Sequence, residues 1–209
     1  MTLWRVGNKL ATVNGKKINM NLPPVLIGEH YYGVVKIGNR YWTTENLYEP
    51  IGSFAGTGNA TNCTSCWADF TNRDNSKGLG ILYHTAEIIN NPSSAARTQL
   101  NTMLAGTGFR LPTYNDFEDL LIASSDWHDY MVIDADGNDS LGFHGKNSGT
   151  SAYNWDYVII QSRTYSLQVL CDNTTYNTFV FTHSNSQYWM VHFSNNAAYR
   201  FAIRLCADA

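Results

Sequence analysis

Gly108-Phe-Arg-Leu-Pro-Thr-Tyr-Asn-Asp-Phe-Glu-Asp-Leu-Leu121 is the stretch whose reading decides the fold. Thr113 stands just after Pro112, where a helix N-cap belongs. Asp116 follows three residues on, where a carboxylate reaches back to the cap N–H. Phe117, Leu120 and Leu121 then fall on one helical face. Asp116, Glu118 and Asp119 crowd the N-terminal end, where they complement the helix dipole. The segment predicts a helix opening at Thr113, and Arg110, Pro112 and Thr113 take structural tasks at its entrance.

Upstream, the patterns predict two more helices. One runs His84 to Asn90; the other runs Ser93 to Ala105, opened by Ser93 or Ser94 after Pro92 and ended at Gly106. Gly80-Ile-Leu-Tyr83 reads as a short buried strand. Pro50 to Gly80 is rich in Gly, Asn, Thr and Ser and reads as a long loop. Before it, Val34–Ile37 and Arg40–Thr44 alternate across Gly38-Asn39 and predict a hairpin. Leu10–Val13 and Lys17–Met20 form an earlier hairpin around Asn14-Gly15, the strongest short hairpin signal. Pro23-Pro24 reads as an extended linker after it. An isolated hairpin is marginal in water, so residues 1–28 read as an attachment segment and 29–209 as the main domain.

Downstream, Asp134 to Thr150 reads as a Gly, Asp and Asn loop. Strands are predicted at Tyr157–Gln161, Tyr165–Leu170, Thr178–Thr182, Tyr188–Phe193 and Tyr199–Leu205. The order of strands, helices, strands predicts an α+β domain with antiparallel sheets.

Composition excludes several classes. The 209 residues carry a net charge of −3, with 15% charged. No basic stripe marks a nucleic-acid binder. No run approaches the roughly 20 apolar residues of a membrane span, so no membrane insertion is expected. Met1 to Met20 has no continuous apolar core and does not read as a signal peptide. There is no G-x-S-x-G, H-E-x-x-H, P-loop or dinucleotide fingerprint, and the six histidines are scattered. The expectation is a protein without catalytic residues.

Two weaker chemical readings remain. Asp134, Asp136, Asn138 and Asp139 place oxygen ligands in a D-x-D-x-N run that suits Ca²⁺; the same residues make an ordinary solvated turn, and no cofactor is expected. Cys63 and Cys66 form a C-x-x-C without a second pair, which supports zinc weakly. Cys171 and Cys206 either pair in an oxidising compartment or stay free.

Five segments line up with one known pattern. Val35-Lys-Ile-Gly-Asn-Arg-Tyr-Trp42 with Glu45-Asn-Leu47, Gly80-Ile-Leu-Tyr83, Gly108-Phe-Arg-Leu-Pro-Thr113, Leu141-Gly-Phe143 and Ile203-Arg-Leu-Cys206 resemble, in order, the Fibrobacter succinogenes major paralogous domain. The Arg-Leu-Pro-Thr element is shared with formylglycine-generating enzymes and retroelement-diversified variable proteins. The resemblance implies a C-type-lectin-like fold whose first and last strands lie together, with Trp42 and Asn46 as further structural positions. The family's cysteine before this element is missing from Ala105-Gly-Thr-Gly108, which puts its usual disulfide in doubt. An oxidase of the formylglycine-generating type would need Cys171 and Cys206 as a copper pair, and the surrounding motif is absent.

Ser151 to Tyr199 is dense in Tyr, Trp, Asn and Ser. Binding loops use this alphabet because Tyr and Trp give contact area at low entropy cost and Ser and Asn give adaptable hydrogen bonds. Tyr153, Trp155, Tyr157, Tyr176, Tyr188, Trp189, Asn195 and Asn196 are the candidate ligand-binding residues; the same residues also suit a β core and ordinary turns. The expectation is a recognition module: a phage fibre or tail protein assembled in the host cytoplasm, or a bacterial surface or extracellular adhesin. It would attach to other virion or surface proteins through residues 1–28, bind a host glycan or protein, and form a homo-oligomer. The alternative is a purely architectural subunit.

Overall fold

Short hairpins build the first part of the protein. A computed structural model describes residues 12–13, 16–17, 22–51, 67–68, 82–123, 142–143, 163–175, 178–184, 187–193 and 200–209. β1 (Thr12–Val13) and β2 (Lys16–Lys17) pair with each other, with Val13 opposite Lys16 as the Asn14-Gly15 signal predicts. β3 (Leu22–Ile27), β4 (His30–Ile37) and β5 (Arg40–Thr43) follow as an antiparallel meander. Gly28 at φ 60° and Gly38 at φ 59° open its two turns, a left-handed backbone that favours glycine.

Pro23 and Pro24, expected as a linker, instead lie in β3, where the ladder with β4 shifts register between Leu22 and Val25. A strand at a sheet edge tolerates proline because its outer N–H has no ladder partner. Residues 22–27, expected within the attachment segment, therefore join the main sheet. The chain's last strand, β12 (Cys206–Asp208), pairs with β5 and completes the order β12-β5-β4-β3.

A second sheet has the order β11-β7-β6, from β6 (Trp67–Ala68), β7 (Leu82–His84) and β11 (Arg200–Phe201). β6 interrupts the loop expected over Pro50 to Gly80. The strand expected over Tyr199–Leu205 is split, because the chain leaves β7 after Phe201 and crosses to β5 before Cys206. On the way Leu47 N–H donates to Ile203 O at 2.7 Å and Thr43 N–H to Leu205 O at 3.0 Å. The third sheet is a meander, β8 (Arg163–Leu170), β9 (Thr178–Ser184) and β10 (Gln187–Phe193), in the order β10-β9-β8. The strand expected at Tyr157–Gln161 lies outside the described residues.

The helices come between. α1 (Ala95–Leu104) opens at Ser94, whose side chain accepts from Arg97 N–H, and stops before Gly106 at φ 78°. α2 (Tyr114–Ala123) opens at Thr113 as the sequence predicts. The helix expected over His84–Asn90 is instead a π-helical turn, Ala86–Asn90, following β7. Two side chains from the next helix hold its carbonyls: Ser94 Oγ donates to Glu87 O at 2.6 Å and Arg97 Nη1 to Ile88 O at 2.8 Å. Such outside donors stand in for the ladder of a regular helix.

The order of strands, helices and strands makes this an α+β protein. Two hydrophobic clusters fill it. One joins Ile27, Tyr32, Tyr83, Ile88, Leu100, Leu104, Leu170 and Ile203. The other joins Val35, Ile37, Trp42, Phe117, Leu120, Phe143, Val169 and both Cys171 and Cys206. The two cysteines are free thiols. No helix among the described residues is long and apolar enough to cross a membrane.

Candidate functional site

The β8–β10 meander is the described part of the aromatic, amide-rich segment, and one end of it is anchored in the core. Val169, Leu170, Cys171 and Thr178 are fully buried. Val169 bridges Ala202 in parallel, and Leu170 N–H donates to Ala202 O at 2.8 Å. Asp172 N–H donates to Pro112 O at 2.7 Å, which ties the end of β8 to the entrance of α2. The Asp172 carboxylate takes both arms of Arg97, at 2.9 and 3.1 Å, so α1 holds the same corner. Burial pushes the Cys171 thiol up to about 12, which keeps it neutral and unreactive.

From that anchor the strands run outward for five residues, about 17 Å at strand rise. At the far end the register sets Tyr165, His183 and Tyr188 in one cross-strand row. The next row is Ser166, Thr182 and Trp189. Direct partners in an antiparallel sheet share a face, and neighbouring strands lie about 4.8 Å apart. Tyr165, His183 and Tyr188 are thus direct cross-strand neighbours in one row about 10 Å wide. Tyr188 and Trp189 lie within β10, where the strand expected over Tyr188–Phe193 places them.

The entrance of α2 is fixed by charge as well as by capping. The buried Asp116 carboxylate accepts from Arg110 Nη1 at 2.6 Å and Nη2 at 3.0 Å, and from Arg40 Nε at 2.6 Å. It also accepts from Thr113 N–H at 2.7 Å and Thr113 Oγ1 at 2.8 Å, while Asp116 N–H donates to Thr113 Oγ1 at 3.3 Å. Burial alone would raise the Asp116 carboxyl, but the two guanidiniums and the Thr113 donors outweigh it and hold it far below the usual carboxylate range. Arg110 also exchanges two backbone hydrogen bonds with Cys206, at 2.8 and 3.0 Å. Its job is to lock the first strands, α2 and the last strand together. The shallow cleft of about 240 Å³ beside it has Arg97, Phe109, Arg110 and Asp172 in its wall, but these charges already face each other or Asp116.

A second buried carboxylate, Glu49, accepts from the N–H groups of Glu29 and His30, from Tyr32 Oη at 3.2 Å, and lies 2.7 Å from His30 Nδ1. A Cβ on Gly28 would overlap it. Burial, with Glu49 adding to it, raises the Tyr32 hydroxyl far above its ordinary value, so it stays a neutral donor. This cluster closes the β3–β4 turn.

Trp42 is fully buried against Phe117 and Phe143, with ring centroids 5.3 and 5.7 Å away. Asn46 accepts from Arg204 Nε at 3.0 Å, and Arg204 also donates to the carbonyls of Thr43 and Phe143 at 2.9 and 2.7 Å while lying over the Phe143 ring. Sequence reasoning missed Arg40, Glu49 and the deep burial of Arg204; only Ile203-Arg-Leu-Cys206 held a signal. Tyr153, Trp155, Tyr157, Tyr176, Asn195, Asn196 and the acidic run Asp134, Asp136, Asn138 and Asp139 lie outside the described residues, as do Cys63 and Cys66. Among the described residues no three His, Cys, Asp or Glu side chains gather as a metal site.

Comparison with known proteins returns nothing: no family model matches the chain, and no curated protein and no solved structure matches it.

Proposed function

We propose that this chain is a non-enzymatic recognition module, a C-type-lectin-like domain carried by a bacteriophage fibre or tail, which binds a glycan or protein on the host surface. The observation that carries the reading is the Tyr165–His183–Tyr188 row, at the end of the meander remote from its anchor in the core. Aromatic faces stack on sugar rings and protein surfaces, and the Tyr hydroxyls and His ring nitrogens of the same row are able to hydrogen-bond. The pairing of β12 with β5, which brings the chain's end to its first large sheet, supports the lectin-like part.

A glycan array and a host-cell binding assay on the purified chain test this. Binding is expected, and Tyr165→Ser with Tyr188→Ser should reduce it on the order of tenfold or more, a loss typical of aromatic anchors. Absence of binding to both, or binding indifferent to the double variant, would overturn the reading and leave the architectural subunit.

A further inference from the structure

Sheet edges in this protein are treated unequally. The β3 edge carries Pro23-Pro24 and a register shift. β12 is three residues long and ends in the exposed Asp208. β6 and β11 have two residues each. The outer side of β8 is met by Ala202 at Val169, and its other end carries the charge of Arg163. Prolines, bulges, charge and shortness are the devices that keep an edge from pairing with another chain. β10 has none of them. Its Gln187-Tyr-Trp-Met-Val-His-Phe193 runs seven residues without Asp, Glu, Lys, Arg, Pro or Gly, and among the described residues it pairs on one side only, with β9.

We propose that two copies of this chain pair antiparallel through β10, on a two-fold axis through Met190, the middle of the strand. The occupant is a second copy because the strand is complementary to itself. The axis sets Trp189 opposite Val191, Tyr188 opposite His192 and Gln187 opposite Phe193. No like charges meet, Trp189 faces β-branched Val191 and Tyr188 faces His192, favourable cross-strand pairings, while Gln187 faces Phe193 at the ends. Two three-stranded meanders become one six-stranded sheet, in which the Tyr165–His183–Tyr188 row meets the His192–Phe179–Val169 row of the second copy. This assembly does not depend on any ligand.

Sedimentation velocity on the full chain over a dilution series should show a monomer–dimer equilibrium. Met190→Lys and Met190→Glu each set like charges opposite one another and should weaken the dimer on the order of tenfold or more. Mixing the two variants should restore it. A chain that stays monomeric throughout, or a dimer unmoved by both variants, overturns the proposal. Met190→Cys decides the matter where the charged variants do not fold. Paired Cα atoms about 5 Å apart admit a disulfide, so mild oxidation should link two chains, while Gln168→Cys on β8 and the wild-type chain should not link. Failure of Met190→Cys to link also overturns it. Glycan binding by a monomeric variant would leave the recognition reading standing, so the two proposals fail separately.

Discussion

The frame and the meander of this protein use polar groups in opposite ways. In the frame, Asp116, Glu49 and Arg204 are buried and each is surrounded by partners drawn from distant parts of the chain. The meander's three strands, Arg163–Leu170, Thr178–Ser184 and Gln187–Phe193, contain one formally charged residue, Arg163. Buried charges are costly unless fully partnered, so they tolerate few alternative arrangements. The frame is therefore the part that fixes one register between the chain's beginning, its helices and its end. Among the described residues the meander is tied at one corner, and its composition suits contact.

Removing Asp116 should break this contrast most strongly. Asp116→Ala strands Arg40 and Arg110 and removes the carboxylate that accepts from Thr113 at the α2 entrance, at a cost of about 4 kcal/mol, typical of removing one partner from a buried ionic cluster. Urea unfolding measures it. The pH dependence has a definite sign. The folded-state carboxyl lies below its unfolded value of about 3.9. Its contribution is therefore whole above about pH 4 and is lost as pH falls toward the folded value. The gap between wild type and Asp116→Ala should stay flat from neutral pH down to about pH 4 and narrow below it.

Glu49→Gln is expected to cost less, about 2 kcal/mol. The amide keeps an oxygen acceptor but turns an N–H₂ toward donors, leaving a buried group unmatched. Faster amide exchange at Glu29 and His30 should locate the damage in the β3–β4 turn. A loss as large as that of Asp116→Ala would mean that the two buried carboxylates carry equal weight in the frame.

Legibility in the sequence followed distance along the chain. The α2 cap was readable because Thr113 and Asp116 are three residues apart, and the Gly38 turn because its signal is two residues long. Arg40 meets Asp116 across 76 positions and Arg204 meets Asn46 across 158, and no local pattern marks such partners. Glu49 looked like an ordinary residue before Pro50, since what makes it special is the His30 turn folded over it. The π-turn at Ala86–Asn90 is contacted by Ser94 and Arg97, whose bonds to the carbonyls of Glu87 and Ile88 no local pattern announces. At the candidate site the strands around Tyr188 and Trp189 were readable from alternation, whereas the row with Tyr165 and His183 depends on inter-strand register, which alternation alone does not set.

The smallest effect is expected at the meander's own corner, from Asp172→Ala. The Arg97–Asp172 pair is bidentate, but the carboxylate is 37% exposed. Solvent-screened pairs contribute about 0.5 kcal/mol, and added salt should shrink even that. Burial of Val169, Leu170 and Thr178 keeps the anchor in place without the pair. Global urea unfolding should thus move little, while amide exchange should rise locally at Leu170 and Asp172, whose N–H groups bind Ala202 and Pro112. A global loss near that of Asp116→Ala would show that the meander is clamped by charge as the frame is. It would then be a further part of the frame, not a platform attached to it.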